Sequence, residues 1–176
     1  MNSEIEAYVI EFLKTQEKEL RQNDLNSVYD NIIHFRKPVS QTNITIFLKS
    51  KGVEPLKYFK EEIPPYFAYT LDSYKGDLKI SKDIRKIGSF SFCETDIEKL
   101  YIPSSVQEIG ICAFAGCEKL KEVYIDGCPL FRPDAFRLHK RVDFKMNCSK
   151  KQFDKVNSNQ LDKYKQNQDL DIQFLK

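Results

Sequence analysis

Sequence motifs for catalysis are missing from this chain. Its 176 residues contain no Gly-rich phosphate loop, no HExxH motif and no nucleophile elbow. Each of those motifs holds reactive groups at a fixed spacing, so their absence removes the motif-based arguments for an enzyme. The two histidines, His34 and His139, have no motif-level partner, and we interpret both as structural rather than as general bases. The sequence therefore predicts a non-enzymatic protein that needs no cofactor.

Metal-binding and disulfide patterns are also missing. The five cysteines, at positions 93, 112, 117, 128 and 148, never form a Cys-x-x-Cys pair, so zinc lacks its usual ligand spacing. Their number is odd, and an intracellular compartment keeps thiols reduced, which argues against a disulfide framework. We predict buried free thiols, because free cysteine is among the most buried residue types. No metal site is predicted.

Membrane segments and a strong net charge are absent as well. No apolar run approaches the roughly 18 to 20 residues that a membrane span needs, so no membrane partner is predicted. The N-terminus carries Glu4 and Glu6 where a signal peptide needs a basic segment before a long apolar one. We therefore expect a cytoplasmic protein. A net charge of +2 gives no argument, over the whole molecule, for binding nucleic acid.

What the sequence does contain is an internal repeat. An interval of 22 residues separates Ser91-Phe92 from Ala113-Phe114, and the same interval separates Ala113-Phe114 from Ala135-Phe136. It recurs between the segments Ile84-Arg-Lys-Ile87-Gly88 and Val106-Gln-Glu-Ile109-Gly110. The interval falls within the period of about 20 to 30 residues that is typical of a solenoid, in which each unit covers the apolar face of its neighbour.

The repeats contain strand-like alternation. Four stretches alternate apolar, polar and apolar residues, as a half-buried strand does. They are Leu78-Lys-Ile80, Leu100-Tyr-Ile102, Val123-Tyr-Ile125 and Val142-Asp-Phe144. A shorter extended piece in two of the units ends at Gly88 or Gly110, where we expect a turn that a side chain would hinder. The small-plus-aromatic pairs are expected to stack as a ladder inside the coil.

Residues 1–70 are predicted to form a small helical domain. Apolar residues at helical spacing predict a first helix from Glu4 to about Leu20, with Ile10 off its apolar face. The residues expected on that face are Ile5, Tyr8, Val9, Phe12, Leu13 and Leu20. Asp24 is a good N-cap for a second helix, a third begins at residue 40 or 42, and Gly52 suits the left-handed position after it. Pro55 is expected to open a short fourth helix.

Two further segments are predicted to close the ends of the solenoid, which occupies residues 71–146. Ile63-Pro64-Pro65-Tyr66-Phe67 is interpreted as a degenerate half-repeat, with Tyr66-Phe67 matching the later Ala-Phe pairs. Residues 147–176 are interpreted as a C-terminal cap in which Ser149 begins a helix, residues 157–160 form a polar connector and residues 170–174 add a last strand. The packing residues expected in the cap are Phe153, Val156, Leu161 and Tyr164.

One segment carries a family resemblance. It reads Pro103-Ser-Ser-Val106-x-x-Ile109-Gly110-x-x-Ala113-Phe114-x-Gly116-Cys117-x-x-Leu120-x-x-Val123 and resembles the BspA-type leucine-rich repeat, closely over residues 78–125 and more loosely to about 156. The resemblance implies a curved solenoid with a ladder of strands on one face, a role in protein–protein contact or adhesion, and no catalytic residues. Residues 52–58 are similar to part of a helical domain found ahead of short arrays in phage and bacterial proteins. The predicted fold is α+β: a small N-terminal helical domain fused to a short BspA-like leucine-rich-repeat solenoid with a C-terminal cap.

A solenoid strand turns its apolar residues inward, so the residues between and beside them share one exposed face. The candidate partner-binding residues on that face are Lys79, Lys99, Tyr101, Glu122, Tyr124, Asp126, Arg141, Asp143 and Lys145. Tyr101 and Tyr124 occupy equivalent places in adjacent units, about 4.8 Å apart by strand spacing. Two roles fit this pair: anchors for a protein partner, or a cross-strand pair that only stabilises the sheet.

The predicted function is binding of an intracellular protein partner through this strand face and the helical domain. For a phage-encoded chain, the purpose would be host takeover or counter-defence in the host cytoplasm. The alternative is nucleic-acid binding through residues 132–155, which carry eight Lys or Arg against three Asp, although a solvated end face is the more ordinary interpretation. An enzyme in the helical part is a third hypothesis, which a deep pocket lined by carboxylates or by His34 would support.

Overall fold

The computed structural model describes residues 3–22, 44–68, 74–158 and 171–176. The chain divides into two compact units, Met1–Val53 and Glu54–Lys176. The predicted second helix after Asp24 lies outside the described residues, as do the predicted cap residues Leu161 and Tyr164. The domain boundaries placed at residues 70 and 146 stay predictions.

The first unit begins with helix α1, Ser3–Gln22. Its apolar stripe is confirmed at Ile5, Val9 and Phe12, which are buried. Ile10 is 52% exposed, as its position off the stripe predicts. Leu13 was expected on the buried face, but it is 38% exposed, so the stripe is narrower than its apolar spacing predicts.

Two short helices follow along the chain, one in each unit, and each has one predicted terminal feature. Helix α2, Ile44–Ser50, is followed by Gly52 in the left-handed conformation, with a φ angle of 74°. Helix α3, Pro55–Tyr58, has the proline at its first position, where a missing N–H costs nothing. The predicted start of α2 at residue 40 or 42 falls outside the described part of the chain.

The second unit contains a β-solenoid of about four turns over residues 61–146. Its strands form two sheets in which all neighbours pair in parallel. The short sheet consists of β1 (Glu61–Ile63), β3 (Ile84–Ile87), β5 (Glu108–Ile109) and β7 (Leu130–Phe131). The long sheet consists of β2 (Lys75–Lys79), β4 (Asp96–Ile102), β6 (Glu122–Ile125), β8 (Asp143–Met146) and β9 (Asp171–Phe174). Each turn therefore contributes one strand to each sheet, and the α+β solenoid fold predicted from the sequence is confirmed.

The strand register corrects one predicted alignment. Leu78, Leu100, Val123 and Phe144 form one buried row across the long sheet. Val142 was expected to match Val123, but the partner of Val123 is Phe144, and Ile125 pairs with Met146. The error is two residues, and because side chains in a strand alternate with a period of two, it leaves every residue on its predicted face.

The predicted aromatic ladder is present inside the coil. Phe92 stacks on Phe114 with ring centroids 5.4 Å apart, and Phe114 stacks on Phe136 at 5.2 Å. The half-repeat joins this core: β1 pairs with β3, and Phe67 packs edge-on against Phe92 at 5.6 Å. All four phenylalanine side chains are fully buried.

The half-repeat sits one residue away from its predicted alignment. Ala68 donates its N–H to the carbonyl of Ser91, just as Phe92 donates to Ala113 in the next turn. The counterpart of Phe92 is therefore Ala68 rather than Phe67. Phe67 still fills the core because its ring enters from the neighbouring position.

Every turn bends at the same corner through a residue in the left-handed backbone region. These residues are Tyr66, Phe90, Cys112 and Asp134, with φ angles of 55°, 58°, 51° and 56°. Each of the first three donates its N–H to the carbonyl of the residue just before the next member, so their positions are equivalent. None is a glycine, although this conformation costs a residue with a side chain about 1 to 2 kcal/mol. All four side chains are buried, and their packing offsets that strain.

The prediction that a side chain would not fit at Gly88 and Gly110 is confirmed. The reason is close contact with the preceding turn and not the conformation of a tight turn. Neither has a positive φ angle. A Cβ atom on Gly110 would lie 2.6 Å from the backbone nitrogen of Ser89 and 2.7 Å from the carbonyl carbon of Gly88. A Cβ atom on Gly88 would lie 2.6 Å from the backbone nitrogen of Pro65. Close stacking of consecutive turns therefore requires these two glycines.

The C-terminal cap has the predicted helix and strand but a different packing face. Helix α4, Lys150–Asn157, is N-capped by Ser149, whose side chain and that of Gln152 form a capping box. Phe153 is buried as predicted, whereas Val156 is 41% exposed, so its expected packing role is wrong. Asn157, expected in a polar connector, is fully buried instead. Strand β9 extends the long sheet beside β8, which confirms the predicted last strand.

Asn157 is buried because it closes the edge of the short sheet. Its Oδ1 accepts the backbone N–H of Phe131 at 2.8 Å, and its Nδ2 lies 3.3 Å from the carbonyl oxygen of Pro129 and 3.2 Å from that of Phe153. The side chain thus takes the place of the strand that would otherwise pair with β7. A buried N–H without a partner costs about twice what an ordinary hydrogen bond contributes to stability.

Replacing Asn157 with alanine should therefore lower the free energy of unfolding by about 1 to 3 kcal/mol, because the Phe131 N–H loses its acceptor. Urea unfolding followed by circular dichroism measures the change. The neighbouring variant Val156→Ala is the control: its side chain is largely exposed, and we expect a change within about 0.5 kcal/mol. Equal effects of the two variants would contradict the edge-closing role.

Candidate functional site

The outward face of the long sheet carries two parallel rows of side chains. In the first, the lysine–tyrosine row, the strand register aligns Lys79, Tyr101, Tyr124 and Lys145. In the second, the acidic row, it aligns Asp77, Lys99, Glu122 and Asp143. The rows lie side by side because residues two apart in a strand point to the same face. On β9, Gln173 continues the lysine–tyrosine row and Asp171 continues the acidic row, each by one place.

The lysine–tyrosine row places two tyrosines in register on adjacent strands. Tyr101 and Tyr124 are register partners on β4 and β6, and both side chains are partly exposed. The Lys79 ammonium nitrogen lies 5.4 Å from the centroid of the Tyr101 ring, within cation–π range. The row therefore presents apolar ring surface between two positive charges.

The acidic row is neutralised in its middle and charged at its ends. Lys99 Nζ lies 3.1 Å from Glu122 Oε1, and the hydrogen bond and charge of Glu122 raise the pKa of Lys99. Asp77 and Asp143 lie on either side of this pair. Asp77 was not among the predicted site residues. The alternation on which that prediction depended begins at Leu78, whereas strand β2 already begins at Lys75.

The structure brings seven of the nine predicted residues together in these rows. The other two lie elsewhere. Asp126 follows the end of β6, and its side chain accepts a hydrogen bond from Asn147 Nδ2 at 2.7 Å, so it links the ends of adjacent turns. Arg141 is exposed and precedes β8, outside the paired strands.

Elsewhere on the solenoid, several ion pairs join adjacent turns. Lys60–Asp83, Lys86–Glu62, Arg85–Glu61, Lys121–Glu98, Lys119–Asp96 and Arg132–Glu108 are all cross-turn ion pairs. Two of these pairs lower the pKa of the carboxyl group: Lys60 lowers the pKa of Asp83, and Lys121 lowers the pKa of Glu98. Four charged residues of the two rows form no ion pair within residues 3–22, 44–68, 74–158 and 171–176. These four flanking charges are Asp77, Lys79, Asp143 and Lys145.

The basic region at residues 132–155 is spread over several elements. Arg132 forms an ion pair with Glu108 beside the short sheet, at 2.8 Å. Lys145 belongs to the lysine–tyrosine row, and Lys150, Lys151 and Lys155 are carried by helix α4. One positive charge of this region, that of Arg132, is thus already neutralised, and the others are divided between strand β8, helix α4 and the segments before them.

The cysteine thiols are free, and four of the five are buried, as predicted; Cys128 is partly exposed. Burial raises the pKa of Cys112 to about 12 and that of Cys117 to about 11. These thiols are therefore protonated at neutral pH, and a protonated thiol is neither a nucleophile nor a metal ligand. Within the described ranges, no group of three or more His, Cys, Asp or Glu side chains is arranged to hold a metal ion. His34 lies outside those ranges, and His139 is exposed.

A family model accounts for the repeats. Six copies of the BspA type leucine rich repeat region match residues 62–165, more than half of the chain. The chain belongs to the BspA-type leucine-rich repeat family. The match of this BspA-type protein includes the half-repeat at residues 63–67, ahead of the regular turns. Repeats of this family are commonly protein-interaction modules, and the fold is typically non-enzymatic.

Other comparisons add no relative: no curated protein and no solved structure matches the chain. Among the helices that the structure describes, none combines the length and apolar character required to cross a membrane. The similarity of residues 52–58 to helical domains of phage and bacterial proteins stays a prediction.

Proposed function

We propose that this BspA-type repeat protein is a non-enzymatic interaction module that binds an intracellular protein through the outward face of its long sheet. The observation that carries the proposal is the lysine–tyrosine row, in which Tyr101 and Tyr124 adjoin each other between Lys79 and Lys145. Elsewhere on the solenoid several ion pairs join adjacent turns, whereas the flanking charges of this face form no ion pair within the described residues.

The two tyrosines are the expected anchors. Tyrosine is enriched among the few residues that dominate binding energy, because it supplies a large rigid ring and a hydroxyl group at little conformational cost. A cross-strand aromatic pair that only stabilises the sheet contributes roughly 0.2 to 1 kcal/mol. The two roles differ in what is lost on truncation: an anchor pair loses binding, whereas a stabilising pair loses only a small part of the folding free energy.

Replacing both Tyr101 and Tyr124 with alanine is expected to abolish partner capture while the circular dichroism spectrum stays unchanged. The measurement is affinity capture from lysate of the native host, with captured proteins identified and quantified. A double variant of the short sheet, Glu62→Ala with Lys86→Ala, is the matched control, since it removes an exposed cross-turn ion pair on another face. A stoichiometric partner retained by the control and lost from the tyrosine variant supports the proposal.

Equal capture by the wild type and the tyrosine variant would place the binding surface elsewhere. Material that elutes only as nucleic acid, with strong salt dependence, would instead favour the alternative at residues 132–155. The participation of the helical unit in binding, and the host-takeover or counter-defence role, stay predictions.

A further inference from the structure

We propose that the partner for which the long-sheet face is built is a second copy of this chain, bound face to face across a two-fold axis. This inference rests on the proposed function, because it uses the same face, and it names the occupant. The inference depends on the order of the charges in the two rows and not on their net charge.

The flanking charges alternate in sign between the rows. On β2, Asp77 lies beside Lys79, and on β8, Asp143 lies beside Lys145. Across β2, β4, β6 and β8, with the Lys99–Glu122 pair in the middle, the formal charges of the two rows cancel, and Asp171 on β9 adds one negative charge. A purely acidic segment attracted by the two lysines would therefore meet two aspartates about 7 Å away, the spacing of alternate residues in a strand. The best partner is one that presents the same two rows in the opposite lateral order.

A second copy presents that order. A two-fold axis that runs parallel to the rows, midway between two facing sheets, exchanges the rows and keeps each strand opposite its own counterpart. Lys79 then faces Asp77 of the second copy, and Lys145 faces Asp143 of the second copy. Facing sheets lie about 10 Å apart, a gap that a lysine and an aspartate side chain together span.

The middle of the face is also matched by this operation. Tyr101 faces Lys99 of the second copy, an arrangement suited to a cation–π contact, and Tyr124 faces Glu122 of the second copy, which can accept its hydroxyl hydrogen bond. Each contact occurs twice because the interface is isologous. The four strands β2, β4, β6 and β8 thus all find complementary groups without any change of register.

The paired area makes the complex weak. Five strands spaced about 4.8 Å apart and about four residues long cover roughly 300 Å² on each copy, well below the about 800 Å² per partner of a stable complex. We expect a reversible dimer whose population rises with protein concentration and falls with added salt, since its specificity comes from exposed charges.

Sedimentation equilibrium of the purified full chain over a range of concentrations tests the proposal. Reversing the lysines, Lys79→Asp with Lys145→Asp, places like charges opposite each other and should raise the dissociation constant at least about tenfold. The fourfold swap that also carries Asp77→Lys and Asp143→Lys restores every opposite-charge contact and should return the constant to within about threefold of wild type. Lys86→Asp on the short sheet should leave it unchanged.

A wild type that stays monomeric at every concentration would overturn the inference, as would a fourfold swap that fails to restore association. If the monomeric protein still captured another protein through Tyr101 and Tyr124, the function proposed above would stand without the dimer. A dimer that follows the charge swaps, with no other protein captured, would establish the second copy as the occupant and remove the heterologous partner.

Discussion

Replacing Phe114 with alanine is expected to lower the free energy of unfolding by about 3 to 5 kcal/mol, the cost of truncating a buried aromatic in a packed core. Its ring lies between Phe92 and Phe136, with centroids 5.4 Å and 5.2 Å away and nearly parallel planes. The truncation removes two stacking contacts at once and leaves a cavity in the middle of the ladder. Thermal unfolding should show the midpoint falling by about 10 °C or more.

The matched control is Tyr101→Ala, an aromatic truncation on the surface of a neighbouring strand. It removes at most a cross-strand contact, so we expect a loss of about 1 kcal/mol or less. If the Phe114 variant melted at the wild-type temperature, the stacking of turns described above would be wrong.

The second large effect is expected from Gly110→Ala, which adds a single methyl group. That group would lie 2.6 to 2.9 Å from three backbone atoms of the preceding turn, in Ser89, Gly88 and Ile87. Backbone atoms held in a hydrogen-bonded ladder cannot move aside as a flexible side chain can. The turns must therefore separate locally, and we expect a loss of about 3 kcal/mol or more, at the upper end of overpacking effects. Urea unfolding measures it.

Gly76→Ala separates this steric effect from backbone strain. Gly76 has a φ angle of 74°, and a Cβ atom there would meet nothing within 4 Å. Alanine at this site carries only the cost of the left-handed conformation, about 1 to 2 kcal/mol. A Gly76→Ala loss larger than that of Gly110→Ala would contradict the close stacking of turns.

The solenoid was predictable because its signals are local and repeated. Apolar alternation marks which side of each strand is buried, and the equal spacing of Phe92, Phe114 and Phe136 along the chain aligns the turns. The same signals cannot detect a shift of two residues, because it preserves the alternation. Val142 was for that reason aligned with Val123 in place of Phe144.

The cap shows where local pattern stops being informative. Val156 and Asn157 are neighbours in one helix, and apolar character favours burial of the valine. The structure buries the asparagine, because the N–H of Phe131, 26 residues earlier, has no further strand to accept it. The left-handed corner was likewise invisible, since Tyr66, Phe90, Cys112 and Asp134 share no residue type.

Most residues of the candidate site were predicted, but the arrangement of their charges in two rows was not. Seven of its residues follow from alternation, because an outward position in one strand implies an outward position in its neighbours. Asp77 was missed since the register shifts between Gly76 and Asp77, ahead of the apolar alternation that marks the strand. Without Asp77, the charges appear as a mixed surface. With it, the opposite order of the two rows becomes visible.

Because the turns have nearly constant length, duplication of repeats would lengthen the solenoid in fixed increments. Leu78, Leu100 and Val123 are register partners at nearly equal intervals along the chain. Duplication of one such block would insert a complete turn, reproduce the hydrogen bonds on both sides and leave the entrance half-turn and the exit helix untouched. The distance between the charged ends of the face would grow by about 4.8 Å per duplication. The length of the binding face in such a protein is therefore set by the number of whole turns.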